Sequence, residues 1–284
     1  MSNVLSKVRR GDAYPSEHED RAAQTFEKAL LAAAATSLSD NNNSNNNEAP
    51  TRLKVLEVGI GSNCRTFQRG YYNSALQSLH SSSLPSLQQG LTIDFVGVDL
   101  EIPTSQVLQQ ARDTLVASAD RLSILPSSKE SRPPLLLTTT LNVLSADIVQ
   151  GLPFPNNHFD CITCSLVLCS VTDPNAALQE MKRILRPGGT FGFVEHVAVD
   201  LNQEVERMNY RGLEWQQRTL DPLQQLVAHN CHLHRRTEED IQRIFVQEEG
   251  GGYGGGVVEE TQRFFVKDMW PVSCQCCGVV QKLV

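Results

Sequence analysis

No stretch of the 284 residues approaches the ~20 consecutive apolar side chains that a helix needs to cross a bilayer. The alanine-rich run Ala29–Ala35 is far too short. Positive charge is scarce as well. The 25 Lys and Arg against 32 Asp and Glu give a net charge of −7, which argues against a bulk nucleic-acid binder, because such proteins carry a basic face. Lys7, Arg9 and Arg10 are followed by no apolar core but by Asp12, Glu17, Glu19 and Asp20, so a secretory leader is not expected. Cytoplasmic residence is the expectation, with a mitochondrial or plastid destination as the alternative. In that setting the eight cysteines, at 64, 161, 164, 169, 231, 274, 276 and 277, read as reduced thiols. No internal repeat is present.

What the chain does have is enough apolar material, 40% of residues, for a sizeable core. Residues 1–50 read as an N-terminal helical appendage. Ser16 and Glu19 have the spacing of a capping box, and Ala22, Phe26 and Leu30 recur at helical period, predicting a helix over 16–37. The run Asn41–Asn47, broken only by Ser44, reads as a disordered linker. Residues 51–284 then alternate apolar strands with helices. Strands are expected at Leu53–Val58, Thr92–Val98, Leu135–Leu141, Cys161–Val171, Thr190–Val197, Glu260–Val266 and Val279–Leu283. Helices are expected over 105–122, 175–185, 203–228 and 237–247. The alternation predicts an α/β fold with a doubly wound, mostly parallel, seven-stranded sheet. Ser78–Gly90, Pro126–Pro134 and Gly250–Gly256 read as loops.

The first strand ends in Leu56-Glu57-Val58-Gly59-Ile60-Gly61-Ser62-Asn63. Glycines at 59 and 61 allow a sharp turn and close approach to a ligand. A dinucleotide would set its pyrophosphate here, and an acid just before the glycines is then unfavourable. The third glycine of that fingerprint is also missing, with Cys64 in its place. A cationic, phosphate-free nucleoside such as S-adenosylmethionine suits Glu57 better. At the end of the second strand Asp99, with Glu101 second, is placed to accept from ribose hydroxyls. Asp147 after the third strand is a candidate acceptor for an adenine amino group, with Ile148 packing on the ring. Ser165 ends the fourth strand, beside the adenosyl group. The expected cofactor residues are therefore Glu57, Gly59, Gly61, Asn63, Asp99, Asp147, Ile148 and Ser165.

These motifs resemble the class I methyltransferases of the type 11 group, over residues 53–197. The runs that carry the resemblance are Val55–Gly61, Asp99, Asp147, Leu152-Pro153-Phe154 through Phe159-Asp160, and Leu185-Arg186-Pro187-Gly188-Gly189. A narrower similarity to small-molecule thiol S-methyltransferases rests on Leu56-Glu57-Val58-Gly59, Leu166–Val171, Glu195-His196-Val197, Trp215-Gln216-Gln217, Leu220-Asp221-Pro222, Cys231-His232-Leu233 and Gly278–Lys282. The resemblance implies a Rossmann-like methyltransferase fold, S-adenosylmethionine as cofactor and a small-molecule acceptor, a thiol first. Those enzymes usually begin with a hydrophobic membrane anchor. This chain has a polar tail, which leaves peripheral membrane contact as the expectation to weigh. Where they carry Asp-Gly before a cysteine, this chain has His229-Asn230.

Methyl transfer from a sulfonium is an in-line displacement that asks mainly for alignment and desolvation. A thiol acceptor, with a pKa near ~8.5, needs little help to ionise. The chain shows no evident catalytic dyad. His196 is the one candidate base, and Tyr210 and Trp215 are candidate walls of the acceptor pocket, each weighed against a core-packing role. No metal is expected: Cys274, Cys276 and Cys277 lack a fourth ligand, and Cys161, Cys164 and Cys169 read as core thiols. Two alternatives stand beside thiol methylation. One is a C- or O-methyltransferase of quinone-like or other lipophilic acceptors. The other is a non-catalytic scaffold that binds the cofactor.

Overall fold

The computed structural model describes residues 14–42, 51–81, 90–124, 136–246 and 256–283. Seven strands form one sheet: β1 (Thr51–Val58), β2 (Leu91–Asp99), β3 (Leu137–Ser145), β4 (Phe159–Ser165), β5 (Leu185–His196), β6 (Gly256–Phe265) and β7 (Cys274–Gln281). Their order is β3-β2-β1-β4-β5-β7-β6. β1 pairs in parallel with both β2 and β4, and β7 runs antiparallel to both β5 and β6. The sheet is thus doubly wound and mostly parallel, as expected. Its order reverses at β1 and β4, and a ligand crevice belongs at their carboxyl ends.

The helices are α1 (Ser16–Asn42), α2 (Arg65–Gln68), α3 (Asn73–Ser81), α4 (Ser105–Ile124), α5 (Pro174–Ile184), α6 (Glu204–Asn209), α7 (Arg211–Val227) and α8 (Thr237–Phe245). Successive strand side chains point to opposite faces. Leu53 and Val55 of β1 therefore join one apolar layer with Phe26 and Leu30 of α1, Leu76 of α3 and Ala111 of α4. Leu56 and Val58 join the other, with Leu178 and Met181 of α5 and Ile241 and Phe245 of α8.

α1 is no appendage. Ala22, Phe26, Ala29, Leu30 and Ala33 are fully buried. Its alanines let it lie close on the sheet, where a Cβ added at Gly192 of β5 would stand 2.8 Å from the Ala29 Cβ. Thr190 Oγ1 donates to the Ala29 carbonyl at 2.7 Å, and the Arg186 guanidinium donates to Ser37 Oγ and to Asp160, each at 2.6 Å. Nor does the structure show the capping box: the Glu19 carboxylate is drawn to Arg65 instead.

Other boundaries also move. β4 stops at Ser165 rather than running to Val171, because Leu166 takes a left-handed φ of 56° and turns the chain. The 203–228 helix divides at Tyr210 into α6 and α7. β7 begins at Cys274, so all three clustered cysteines lie on a buried strand. Ser78–Ser81 is the last turn of α3, not loop. The rest of the 78–90 segment up to residue 89, the 126–134 loop, residues 250–255 and residues 43–47 of the Asn-rich linker lie outside the described residues.

If α1 is part of the core, Phe26→Ala should cost about 3–5 kcal/mol. Urea unfolding would show this as a lower midpoint at unchanged slope. A midpoint equal to that of the parent would make α1 a dispensable tail.

Candidate active site

β1 delivers the chain to a turn in which Gly59 and Gly61 have φ of 77° and 70°. Position 59 admits only glycine, since a Cβ there would lie 2.2 Å from Val167 Cγ2. Gly97 in β2 makes room in the same way for Ile60, whose Cδ1 would stand 2.3 Å from an added Cβ. Asp99, the last residue of β2, accepts from the Gly61 N–H through Oδ2 at 2.9 Å and from the Glu101 N–H through Oδ1 at 3.3 Å. The long sequence gap between the glycines and Asp99 therefore closes onto one point. The N–H of Ala146 donates to the Asp99 carbonyl at 3.0 Å, which brings the end of β3 to the same place. There Asp147 Oδ1 accepts from the Val149 N–H at 2.9 Å and caps a single 3-10 turn. Ile148 is buried in the layer that holds Val98. Asn63 stands beside Gly61, and Cys64, where a third glycine would be, adopts a φ of 45° and starts α2.

Glu57 corrects the sequence reading. It shares the strand face of Leu53 and Val55, so its side chain enters the helix layer and is only 2% exposed. Thr66 Oγ1 donates to one carboxylate oxygen at 2.6 Å and the Tyr72 hydroxyl to the other at 2.9 Å. Burial pushes its pKa up to about 7; the two hydroxyls oppose this and the charge of Asp99 adds to it. Glu57 is a strut beneath the turn rather than a free partner for a ligand's ammonium.

On the other side of the crevice, Ser165 Oγ and His18 Nε2 are 3.2 Å apart, while His18 Nδ1 lies 2.8 Å from Gln275 Oε1. Burial lowers the His18 pKa to about 4, so the ring is neutral. α1 thus reaches the carboxyl edge of the sheet. Tyr14 precedes it, with the Arg65 guanidinium 3.8 Å from its ring centroid. The loop after β4 is held from below by Glu195, fully buried. Its Oε1 accepts from the Val167 N–H at 3.0 Å and its Oε2 from the Leu168 N–H at 3.1 Å. Burial raises its pKa, and those two N–H groups work against the rise.

His196 ends β5 and is 1% exposed. Its Nε2 faces the His232 carbonyl oxygen at 2.8 Å, and because that oxygen only accepts, Nε2 carries the proton. The Cys231 sulfur lies 3.9 Å from the ring, and Cys169 Sγ lies 3.8 Å from Cys231 Sγ. The Cys169 thiol and the His196 ring hold the Cys231 pKa well below the usual thiol range in spite of burial. Burial lowers that of His196, but Cys231 and Glu195 more than compensate and the net direction is up.

The two aromatic candidates separate. Tyr210 stacks on Phe265, with centroids 3.6 Å apart and planes 6° from parallel. Trp215 is 65% exposed on α7, hence not core. Sequence reasoning passed over His18, Tyr14 and Glu195, and it treated Cys169 as inert. Their signal was present only in part. Cys169, Glu195 and Cys231 stood in the runs that carry the family likeness, whereas nothing in the N-terminal segment marks Tyr14 or His18.

The sheet order thus puts the glycine turn, clasped by the β2 acid, at the switch point where a ligand crevice belongs. Residues 84–193 match the family described as "Methyltransferase domain". The chain is 40% identical over 88 residues to thiol S-methyltransferase TMT1B of Rattus norvegicus, covering 31% of this chain and 33% of the relative. It is 43% identical over 84 residues to human thiol S-methyltransferase TMT1A, covering 30% and 31%. The ubiquinone/menaquinone biosynthesis C-methyltransferase UbiE of Edwardsiella ictaluri is 27% identical over 183 residues, covering 58% of this chain and 69% of the relative. The chain thus spans about a third of the length of the thiol methyltransferases it matches. A SAM-dependent methyltransferase structure from Methanosarcina mazei aligns with a TM-score of 0.42 at 15% identity, over 84% of this chain and 96% of that one.

Two outcomes follow from the geometry. Gly59→Ala should weaken binding of S-adenosylhomocysteine at least tenfold by calorimetry, since both φ and the Val167 contact forbid a Cβ; unchanged affinity would remove the turn from the site. Glu57 has a pKa above its ordinary 4.5 in the fold, so it favours folding fully below that pH and loses this contribution as pH rises through about 7. Glu57→Gln should therefore gain stability over the parent between pH 5 and pH 8, by at most about 3 kcal/mol. Thermal melts showing the same difference at both pH values would contradict the buried placement.

Proposed function

We propose that the chain transfers a methyl group from S-adenosylmethionine to a small-molecule acceptor, with a thiol as the acceptor class. The observation that carries the reading is the Asp99 carboxylate held against Gly61 at the switch point, where it is poised to accept from both ribose hydroxyls. In this reading the Gly59–Gly61 backbone and Asn63 border the amino-acid end of the cofactor. Asp147 and Ile148 border the adenine, and Ser165 borders the adenosyl group. Glu57 acts beneath the turn, where Thr66 and Tyr72 hold its carboxyl group.

The sulfonium already provides a good leaving group. The protein's contribution is to align the acceptor in line with the methyl carbon and to exclude water. His18, Ser165, Glu195 and His196 border the side from which the acceptor would enter. Thiol methylation is supported by the likeness to the two thiol S-methyltransferases, which covers about a third of each. A second reading, C-methylation of a quinone-like acceptor, is supported by the UbiE likeness, which is weaker in identity but longer.

The deciding assay incubates the full chain with methyl-labelled cofactor and, separately, thiols, quinols and phenols. Label is expected on thiols. Transfer only to the ring carbons of quinols would overturn the thiol reading, and transfer to nothing in a metabolite extract would overturn methyl transfer altogether. Asp99→Asn should weaken cofactor binding about 10- to 100-fold, the loss of a charge-assisted hydrogen bond. Equal affinities by calorimetry would show that Asp99 does not hold the ribose.

A further inference from the structure

Cys169, His196 and Cys231 come together from three segments: the turn after β4, the last residue of β5 and the chain between α7 and α8. All three are buried, and their ligand-type atoms lie within 4.8 Å of one another. The Val167 side chain, which packs against Gly59, precedes Cys169 in the same loop. The cluster therefore stands on the acceptor side of the crevice.

Three features set it apart from incidental core thiols. The first is spacing. Two thiolates bound to one tetrahedral zinc at ~2.3 Å stand ~3.8 Å apart, and the Cys169 and Cys231 sulfurs are 3.8 Å apart. The second is the orientation of the imidazole. Nε2–H donates to the His232 carbonyl at 2.8 Å, which leaves the lone pair to Nδ1; both ring nitrogens lie 3.9 Å from Cys231 Sγ. Metal-bound histidines are commonly held this way, the second ring nitrogen fixed on a backbone carbonyl. The third is charge. Two thiolates and a neutral imidazole cancel a divalent cation, so a metal held by these three ligands alone adds no net charge to the interior. The Cys274, Cys276, Cys277 triplet has no such geometry: as neighbours on a strand, Cys276 and Cys277 face opposite apolar layers and cannot converge.

We infer that Cys169, His196 and Cys231 are three ligands of a site for zinc or a similar soft d10 cation, whose fourth position takes the thiolate of the methyl acceptor. The ligand set replaces the expectation that no metal binds; the role of the fourth position rests on the thiol reading above. Three protein ligands with one open position is the pattern of zinc sites that bind a reactant. The acceptor thiol loses its proton to solvent on binding, and its sulfur is held as a metal thiolate. A sulfur lone pair then forms the new carbon–sulfur bond. The sulfonium carbon–sulfur bond breaks with its electron pair going to the departing S-adenosylhomocysteine, and the neutral thioether product leaves the metal. No oxidant or reductant is required.

The test uses the full chain, stripped of metal under reducing conditions and titrated with cobalt(II), then zinc(II). The expected result is one equivalent of cobalt with the intense visible bands of a tetrahedral ion and near-ultraviolet thiolate charge transfer, displaced by one equivalent of zinc. In Cys169→Ser/Cys231→Ser the charge-transfer band should vanish, and a small thiol added to the cobalt-loaded parent should shift it. A pale octahedral spectrum of the parent, no stoichiometric uptake, or an unchanged spectrum in the double variant would overturn the site. A cobalt spectrum indifferent to added thiol would overturn the role of its fourth position. The parent spectrum is decisive even if the variant misfolds. None of these readouts needs cofactor or turnover, so their failure is distinct from a failure of methyl transfer.

Discussion

The hydrogen bond from the Gly61 N–H to the Asp99 carboxylate, beside those from the Gly59 and Ile60 N–H groups to the Val98 carbonyl, joins the ends of β1 and β2 where the sheet changes direction. Its formation imposes conditions on residues far apart in sequence. Gly59 and Gly61 must take positive φ, Gly97 must leave room for Ile60, and Val167 must close against Gly59. The Ala146 N–H then ties β3 to Asp99 as well. Loops after β1, β2, β3 and β4 are consequently referenced to one point, which is how a crevice lined by short, separate segments acquires a defined shape.

Two buried acids support this arrangement from within. Glu57 lies under the glycine turn with Thr66 and Tyr72 on its oxygens, and Glu195 lies under the loop after β4 with the N–H groups of Val167 and Leu168 on its own. A carboxylate in the interior is costly unless such donors satisfy it. Both acids therefore fix the positions of the groups that bind them. Backbone donors suit Glu195 to holding a loop at the end of β4, and α1 completes the same edge through His18 on Ser165.

The strands themselves were legible because each is a short apolar run between turn signals, and period alone separates these from the helices. Gly59, Gly61 and Asp99 were legible because a turn without Cβ atoms and an acid at the next strand end are required by any nucleoside site of this kind. Glu57 was misread for a specific reason. Its position along the chain is next to the turn, but the alternation of a buried strand sends its side chain to the helix layer, and the hydroxyls that receive it come from Thr66 and Tyr72. The role of α1 was hidden in its alanines, which mark a surface helix as readily as one pressed onto a sheet. The core-packing alternative for Trp215 fails because α7 turns the side chain outward. The meeting of Cys169, His196 and Cys231 depends on three separate chain segments, and no local pattern announces it.

The most direct test of the account is a crystal structure of the full chain with S-adenosylhomocysteine bound. Both ribose hydroxyls should lie within hydrogen-bond distance of Asp99, the amino-acid end should run over Gly59 and Gly61, and the sulfur should face the loop after Ser165. A ligand found elsewhere, or bound at the turn with its ribose away from Asp99, would contradict it.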